Sequence, residues 1–411
     1  MMVFQQALEL MEERWKSVQF KLEQLPDLGI RTMEKFQFHE TGLNILSDDF
    51  YKQLLHLPSH GAANVITVAE TSSLYMFVHY WSDGIATPHQ HVWSGFFMNL
   101  KGTIIHSEYE YEALEKLGPN LDFGRLSTKR TEILYPGDMV PVYPGKAYIH
   151  GLWHVDSFCL SLSVRTKTNK FSSNQLTIDY NRCSGIAIDL TPKRPDIQQL
   201  TLWLGVLYER NRNIYEKSLD NILNSLDACS ILLMFYHLLK LHSHLELINY
   251  FETKYSIVSD PLLGHYKNFL HDLGRDEIFF GIRSNITDFE LRALYGALYV
   301  ADNLQHFLKI LALLFPKEPV VDTGGQLLFK ATNTPVLKES PQSLQNTYKL
   351  YLKAILAGSS HEVFVARINS DSEIGLQETE SLIQHIQGFR NSIIFTPLFP
   401  REGSVASTST N

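Results

Sequence analysis

The segment YWSDGIATPHQHVWSG, residues 80–95, carries two histidines one residue apart, His89 and His91. It follows a run of β-branched and aromatic residues, which is typical of a strand. In a strand, residues i and i+2 project to the same face, so both imidazoles can point into one interior. An isolated pair of this kind is more often structural than a metal site. The pair therefore needs a third ligand from elsewhere in the chain.

Two candidates for that ligand lie in the stretch YPGDMVPVYPGKAYIHGLWHV, residues 135–155, which contains His150 and His154. Their separation of four places both on one face of a strand. A third imidazole from a distant strand completes a facial three-histidine metal site, in which water or substrate fills the open positions. The spacing alone leaves both histidines open as the third ligand.

These two stretches resemble a known family. The pattern G-x4-H-x-H-x10-G, followed by P-G-D-x5-P-G and a later histidine, resembles the two cupin motifs. Within the cupins, the first stretch is similar to that of the thiol dioxygenases of the cysteine dioxygenase type. The resemblance covers about residues 65–168, with one residue fewer before the first histidine. The matching residues are Trp81, Gly84, Thr87, Pro88, His89, His91 and Trp93.

The resemblance also bears on the third ligand. The second motif of the thiol dioxygenases has a glycine three residues before the histidine, which Gly151 and His154 match. The general cupin pattern instead places His150 after the P-G-K sequence, with His154 where an asparagine is usual. The resemblance implies a metal site of His89, His91 and His154, with His150 as the alternative third ligand.

The metal and the reaction are implied by the same family. The glutamate that many cupins carry four or five residues after the second histidine is absent here, since Gly95 and Phe96 stand in its place. This implies the three-histidine subtype, which binds Fe(II), and the oxidation of a small thiol or related small molecule by O2. Candidate residues lining the pocket are Trp93, Phe96, Tyr148 and Trp153.

The chain departs from the family at the substrate side. The family has a His and a Tyr on the strand after the third ligand, where this chain has Ser163 and Arg165. It also lacks a counterpart of the arginine that binds a substrate carboxylate ahead of the metal motif. Arg165 can bind a carboxylate if its side of the strand faces the interior. The alternative is a solvated residue at a strand end.

Changes in the hydrophobic pattern along the sequence predict a multidomain protein. Many short β-rich segments predict an all-β barrel or sandwich. The resemblance implies that it is a cupin double-stranded β-helix of the jelly-roll type. With its flanking N-terminal helices, this domain is predicted over residues 1–190. Apolar residues at three-to-four spacing predict an α-helical domain over 191–317. Strand-like GGQLLFKA, HEVFVARI and NSIIFTPLF alternate with helix-like runs and predict a small α/β domain over 318–400. Residues 401–411 form a polar tail that we expect to be disordered.

Composition narrows the choice of partners and location. The net charge is −8 with no basic run, which argues against nucleic acid as a partner. The longest strongly apolar stretch, residues 230–239, is too short to cross a bilayer, and the acidic N-terminal segment favours an amphipathic helix over a signal peptide. The three cysteines do not form a disulfide framework. We therefore expect a cytoplasmic protein that binds a small-molecule substrate and O2, without membrane partners.

The sequence thus predicts a non-haem Fe(II)-dependent dioxygenase with a three-histidine cupin site, and it leaves two alternatives. One is a cupin oxygenase acting on a different substrate class in a biosynthetic pathway. The other is a non-catalytic metal-binding cupin sensor whose helical domain binds a protein partner. The acid-rich and aromatic segment HSEYEYEALE, residues 106–115, is predicted to be a solvated strand edge rather than part of a site.

Overall fold

A computed structural model of the chain has a β-rich region between two sets of helices. The structure describes residues 2–36, 64–82, 85–118, 121–167, 176–179, 185–189, 195–226, 278–332, 342–369 and 376–399, with scattered positions between 227 and 277.

The β-rich region consists of short strands whose side chains alternate between two faces, as the sequence pattern predicts. Turns at Gly102 and Gly137, both with a positive φ, separate some of the strands. The strands are β1 Asn64–Glu70, β2 Leu74–Ser82, β3 Ile85–Gln90, β4 Gly95–Lys101, β5 Ile104–Gly118, β6 Leu121–Leu134, β7 Met139–Val142, β8 Ile149–His154, β9 Phe158–Thr166, β10 Leu176–Asp179 and β11 Gly185–Asp189.

These strands form two antiparallel sheets that face each other. The first sheet has the strand order β1-β2-β9-β4-β7, and the second has the order β10-β11-β6-β5-β8-β3. In the second sheet, Thr177 of β10 also pairs with His89 of β3, which closes the ring of strands. The predicted all-β architecture of this region is confirmed.

The interior between the sheets is lined by one face of each strand. It contains apolar side chains from both sheets: Phe97, Ile104, Leu134, Val140, Val142, Tyr148, Leu152 and Cys159. The outer face of the first sheet is covered by the helices α1 Met2–Ser17 and α2 Leu25–Met33. The N-terminal helices therefore pack on the outside of the β-region, as expected.

The first sheet depends on a close approach at Gly95, the first residue of β4. A Cβ atom at this position would lie 1.8 Å from the carbonyl oxygen of Val164. Only glycine therefore allows β4 to lie against β9 here. The glycine that follows the two histidines and Trp93 thus has a packing role.

The chain after residue 195 is helical where it is described. The helices are α3 Pro195–Arg210, α4 Arg212–Ser225, α5 Phe289–Val300, α6 Leu304–Leu314, α7 Val320–Thr332, α8 Gln342–Leu356, α9 His361–Asn369 and α10 Leu376–Asn391. Helices on both sides of residue 318 bury their apolar faces in one core. None of the described helices is long and apolar enough to cross a membrane.

The predicted α/β region over residues 318–400 is wrong. The three segments predicted as strands lie instead in α7, in α9 and in a 3-10 helix over Ile393–Leu398. Packing overrides the local pattern in α7, where a Cβ at Gly325 would lie 2.6 Å from the side chain of Lys353 in α8. The two glycines that begin the predicted strand GGQLLFKA therefore allow α7 to approach its neighbouring helices closely. The predicted tail, 401–411, lies outside the described residues.

Candidate metal centre

Three imidazoles converge at one end of the β-region. His89, His91 and His150 each offer a ring nitrogen, and these atoms all lie within 4.8 Å of one another. The Nε2 atoms of His91 and His150 are 2.8 Å apart. Two nitrogens that each lie about 2.1 Å from one metal ion, at a right angle, are about 3.0 Å apart. The spacing of this histidine trio therefore suits a single metal ion.

The strand register brings the three histidines together. His89 of β3 lies directly opposite His150 of β8 in the antiparallel ladder. Gly145, which has a φ of 79°, donates its backbone N–H to the carbonyl oxygen of His91 at 2.7 Å. The turn that precedes β8 thus holds His91 in place. Backbone contacts therefore position both His89 and His91 next to His150.

The environment keeps these imidazoles neutral. Burial lowers the pKa of His89. Burial, and then repulsion from the neighbouring imidazole of His89, holds the pKa of His91 and of His150 well below the usual range. Since a neutral imidazole has a lone pair to offer a metal, the trio is in its ligand form at neutral pH.

The ring nitrogens that face away from the trio bear on which nitrogen of each imidazole can bind a metal. Nδ1 of His89 donates to the carbonyl oxygen of Thr87 at 2.8 Å, which leaves Nε2 with its lone pair. Nδ1 of His91 is buried, and among the described residues it has no hydrogen-bond partner. This nitrogen therefore does not fix the tautomer of His91, whose other ring nitrogen, Nε2, is the one that faces His150. Donor type, spacing and burial together fit a divalent transition metal.

A buried polar network lies behind His150. Its Nδ1 is 3.2 Å from the hydroxyl of Tyr148 and 3.2 Å from Nε2 of His106. Nδ1 of His106 is in turn 2.8 Å from a carboxylate oxygen of Glu132. The hydrogen bond with His106 lowers the pKa of Glu132, and burial raises the pKa of Tyr148 well above its usual value. The network thus runs from an ionised carboxylate to the trio.

His154 does not join His89 and His91. It is buried four residues further along β8, where its ring stacks on Trp81 at a centroid distance of 4.6 Å. The geometry therefore favours the alternative third ligand, His150, over His154. Register decides this, because it is His150 that lies opposite His89.

The residues predicted to line the pocket divide between two faces. Trp93 lies 4.3 Å from His91, ring to ring, and Tyr148 contacts His150. Phe96 and Trp153 face outward, the first toward the N-terminal helices and the second into the core of the C-terminal helices. Their prediction as pocket lining is corrected, because alternation along a strand turns Phe97 inward instead of Phe96. The ring of Phe97 lies 5.7 Å from that of His150.

Arg165 lies on the interior face of β9 and is half-buried. Its guanidinium lies over the ring of Phe77 at 4.1 Å, and it has no carboxylate partner among the described residues. Its charge contributes to the lowered pKa of both His79 and His91. His79 in turn contacts the hydroxyl of Ser163 at 2.7 Å. The solvated strand end considered for Arg165 is therefore not what the structure shows.

A second group of potential ligands lies beside the trio. His106, Glu108 and Glu132 also offer atoms within 4.8 Å of one another. However, the guanidinium of Arg130 contacts both carboxylates, at 3.5 Å in the case of Glu132. The cation that this group holds is therefore an arginine side chain.

The outer face of β8 is fixed by the C-terminal helices. Arg283 donates to the carbonyl oxygen of His154 at 2.7 Å, and Arg292 donates to the carbonyl oxygens of Val155 and Asp156. Trp153 fits against Gly296, where a Cβ would lie 2.5 Å from the indole ring. The strand that carries His150 on its inner face is thus held from behind by the helical region.

Sequence reasoning missed His106, Glu132 and Phe97. The segment that begins at His106 is not a solvated strand edge at its start, since His106 is fully buried. An alternation count along β5 could have indicated this, because His106 shares a face with Ile104. The pairing of His106 with Glu132 had no local signal, since 26 residues separate them.

Comparisons with known proteins find solved structures that match part of the chain at low sequence identity. No family model matches the chain, and no curated protein matches it. A cupin superfamily protein from Desulfitobacterium hafniense DCB-2 is 10% identical, with 28% of this chain and 85% of that chain covered and a TM-score of 0.19. A cupin-2 domain containing protein from Shewanella frigidimarina NCIMB 400 is 13% identical over 30% and 99%, with a TM-score of 0.20. An oxalate oxidase structure is 15% identical over 41% and 76%, with a TM-score of 0.20.

Proposed function

We propose that this chain is a metal-dependent cupin enzyme whose metal ligands are His89, His91 and His150. The observation that carries this proposal is the 2.8 Å separation of the Nε2 atoms of His91 and His150, with a ring nitrogen of His89 within 4.8 Å. The lowered pKa of each histidine supports it, because the imidazoles are then neutral at neutral pH and can bind a metal. So does the sequence, since the two histidine-bearing strands carry the two cupin-like motifs.

The proposed metal is Fe(II). Imidazole ligands suit iron as well as zinc, copper and nickel, and the resemblance of residues 80–95 to the three-histidine thiol dioxygenases favours iron among them. When bound, Fe(II) supplies the redox chemistry between O2 and a substrate held beside it. The trio occupies one side of the site, so the protein leaves the other side to substrate.

The proposed reaction is the dioxygenation of a small thiol to a sulfinic acid, R–SH + O2 → R–SO2H. Two sulfur–oxygen bonds form, and the oxygen–oxygen bond breaks. Sulfur loses four electrons and dioxygen gains four, so no further reductant is required. The protein contributes the position of the substrate and a site from which bulk water is excluded.

We propose that Arg165 binds an anionic group of the substrate. The trio is neutral, the metal ion would add two positive charges, and Arg165 adds another without a carboxylate partner among the described residues. An anion between them would neutralise charge in a partly buried site, where a guanidinium binds a carboxylate strongly. Ser163 and His79, which lie on the same face of the first sheet, offer further hydrogen bonds.

The apolar part of the substrate would contact the aromatic rings around the trio. Trp93 packs on His91, and Phe97 lies beside His150. The raised pKa of Tyr148 keeps its phenol protonated, so it can donate a hydrogen bond to the network behind His150. A substrate bound beside the trio would thus meet a charged group at one end and aromatic rings on one side, which suits a small amphiphilic thiol.

An oxygenase that acts on another substrate class is the second candidate. One observation favours it: the interior face of β9 presents Ser163 and Arg165, where the thiol dioxygenases have a His and a Tyr. The metal site can be retained while the substrate differs. The same experiment separates the two candidates.

The test uses protein purified without oxygen and supplied with Fe(II), Zn(II), Mn(II) or Ni(II). We expect about one tightly bound iron per chain and oxygen uptake with small thiols that carry a carboxylate, with one sulfinate formed per O2. The matched thiols without the carboxylate should react more slowly, and the His89→Ala variant should neither bind iron nor consume oxygen. An iron-loaded protein that oxidises no thiol would refute the thiol dioxygenase. A protein that binds no divalent metal would refute the metal site itself.

A further inference from the structure

The polar network behind His150 has a geometry that sets the protonation of that ligand. We infer that His106 and Glu132 are positioning residues, which hold His150 in the tautomer whose Nε2 lone pair points into the trio. This inference rests on the proposed metal site, because it concerns the affinity of that site. Neither residue belongs to the trio, and the segment that contains His106 was predicted from sequence to be solvated.

The argument starts from the carboxylate. Glu132 lies directly opposite His106 in the β5–β6 ladder, and its carboxylate oxygen is 2.8 Å from Nδ1 of His106. A carboxylate can only accept a hydrogen bond, so Nδ1 of His106 carries the proton. In the neutral imidazole, Nε2 of His106 then has a lone pair and can only accept.

The next contacts pass this constraint to His150. Nε2 of His106 is 3.2 Å from Nδ1 of His150 and 3.1 Å from the hydroxyl of Tyr148. An accepting Nε2 favours a proton on Nδ1 of His150, and that proton can be shared with the hydroxyl of Tyr148 at 3.2 Å. With Nδ1 protonated, the lone pair of the neutral His150 ring is on Nε2, which is the atom 2.8 Å from Nε2 of His91.

Burial makes the tautomer of His150 depend on its protein partners. His106 and His150 are 0% and 2% exposed, so bulk water does not offer their ring nitrogens an alternative partner. Without the carboxylate, His106 could carry its proton on Nε2, which would then point at Nδ1 of His150. That arrangement would favour a lone pair on Nδ1 of His150 and a proton on its Nε2, the form that cannot bind the metal.

The chain contains a matched control residue. Glu108 also contacts Arg130, and its carboxylate belongs to the same group of side chains as that of Glu132. It has no hydrogen bond with His106 among those of the described residues. A substitution at Glu108 therefore removes the same charge and a partner of the same arginine, while the contact with His106 remains.

The experiment measures Zn(II) affinity of the full chain by competition with a chromophoric chelator. We expect Glu132→Leu to weaken Zn(II) binding about 10- to 100-fold, which is the effect typical of removing such an outer partner. We expect Glu108→Leu to leave it within about threefold of the wild type, on the same reasoning that only the direct partner matters. Equal losses in the two variants, or no loss in Glu132→Leu, would overturn the inference.

Two further measurements guard against loss of folding in Glu132→Leu. His106→Gln places an acceptor oxygen near the position of the imidazole Nε2, so it should retain most of the affinity that His106→Leu loses. In metal-free protein with 15N-labelled histidine, long-range 1H–15N spectra should show His150 protonated on Nδ1 in the wild type and in Glu108→Leu. They should show it protonated on Nε2, or in a mixture, in Glu132→Leu. An unchanged tautomer would overturn the inference.

The outcomes distinguish this inference from the proposed function. If the wild-type chain binds no divalent metal, the proposed function fails. If the wild type binds metal through His89 while Glu132→Leu behaves like Glu108→Leu, the metal site stands and only the role of the network is wrong.

Discussion

The choice between His150 and His154 as the third ligand can be tested with a matched pair of variants. Both side chains lie on the same face of β8 and both are buried, at 2% and 0% exposure. His150→Ala removes a nitrogen that is 2.8 Å from the His91 ring nitrogen, whereas His154→Ala removes a ring stacked on Trp81. We expect only the first substitution to abolish metal binding.

The two variants should lose similar folding free energy but differ in how much added metal stabilises them. Truncation of a buried ring leaves a cavity and costs about 2–5 kcal/mol of folding free energy, so both variants should be less stable than the wild type. A metal present at 100 times its dissociation constant stabilises the folded state by about 2.7 kcal/mol. That corresponds to a rise in melting temperature of roughly 5–10 °C for a domain of this size. His154→Ala should keep this rise, and His150→Ala should lose it.

The assay compares thermal unfolding with and without added metal and measures the metal retained after gel filtration. His89→Ala is the control for complete loss of the site. If His154→Ala loses the metal-dependent rise and His150→Ala keeps it, the ligand set implied by the motif alignment is right. The assignment from strand register would then be refuted.

Three further predictions concern other parts of the molecule. Gly296→Ala should destabilise the chain by about 1–3 kcal/mol, because its Cβ would lie 2.5 Å from Trp153. The control Gly281→Ala, in a helix with open space around it, should stabilise the chain by about 0.4–1 kcal/mol. Chemical denaturation measures both changes, and equal effects would contradict the docking of the helices on β8. Arg165→Met should raise KM for a carboxylate-bearing thiol about 10- to 100-fold and leave KM for an uncharged thiol unchanged; equal changes would mean that Arg165 does not bind the anion. The pKa of His79 is lowered from 6.5 to about 4 by burial and by the charge of Arg165, so the folded state binds fewer protons than the unfolded state, and stability should fall as the pH decreases from about 6.5 to about 4. The denaturation midpoint measured across that range should change less in His79→Gln, and an identical pH profile would show that His79 does not contribute.

The local pattern of the sequence determined the β-region and two histidines of the candidate site. Alternation and β-branched residues predict strands, and the i, i+2 spacing of His89 and His91 places both imidazoles at one location whatever the rest of the chain does. The same alternation places Arg165 and Ser163 on one face of β9, although it leaves open whether that face is the interior one. These results follow from geometry within single strands, which is why they were available from the sequence alone.

Tertiary structure decided which residues meet across strands and helices. His150 and His154 are equivalent by spacing, and only the register of β3 against β8 puts His150 opposite His89. The glycines of α7 resemble strand or turn residues in isolation, but the close approach of α8 is what requires a small residue at Gly325. Glu132 reaches His106 across a ladder that joins positions 26 residues apart. Contacts of this kind depend on long-range pairing, for which the local sequence pattern carries no signal.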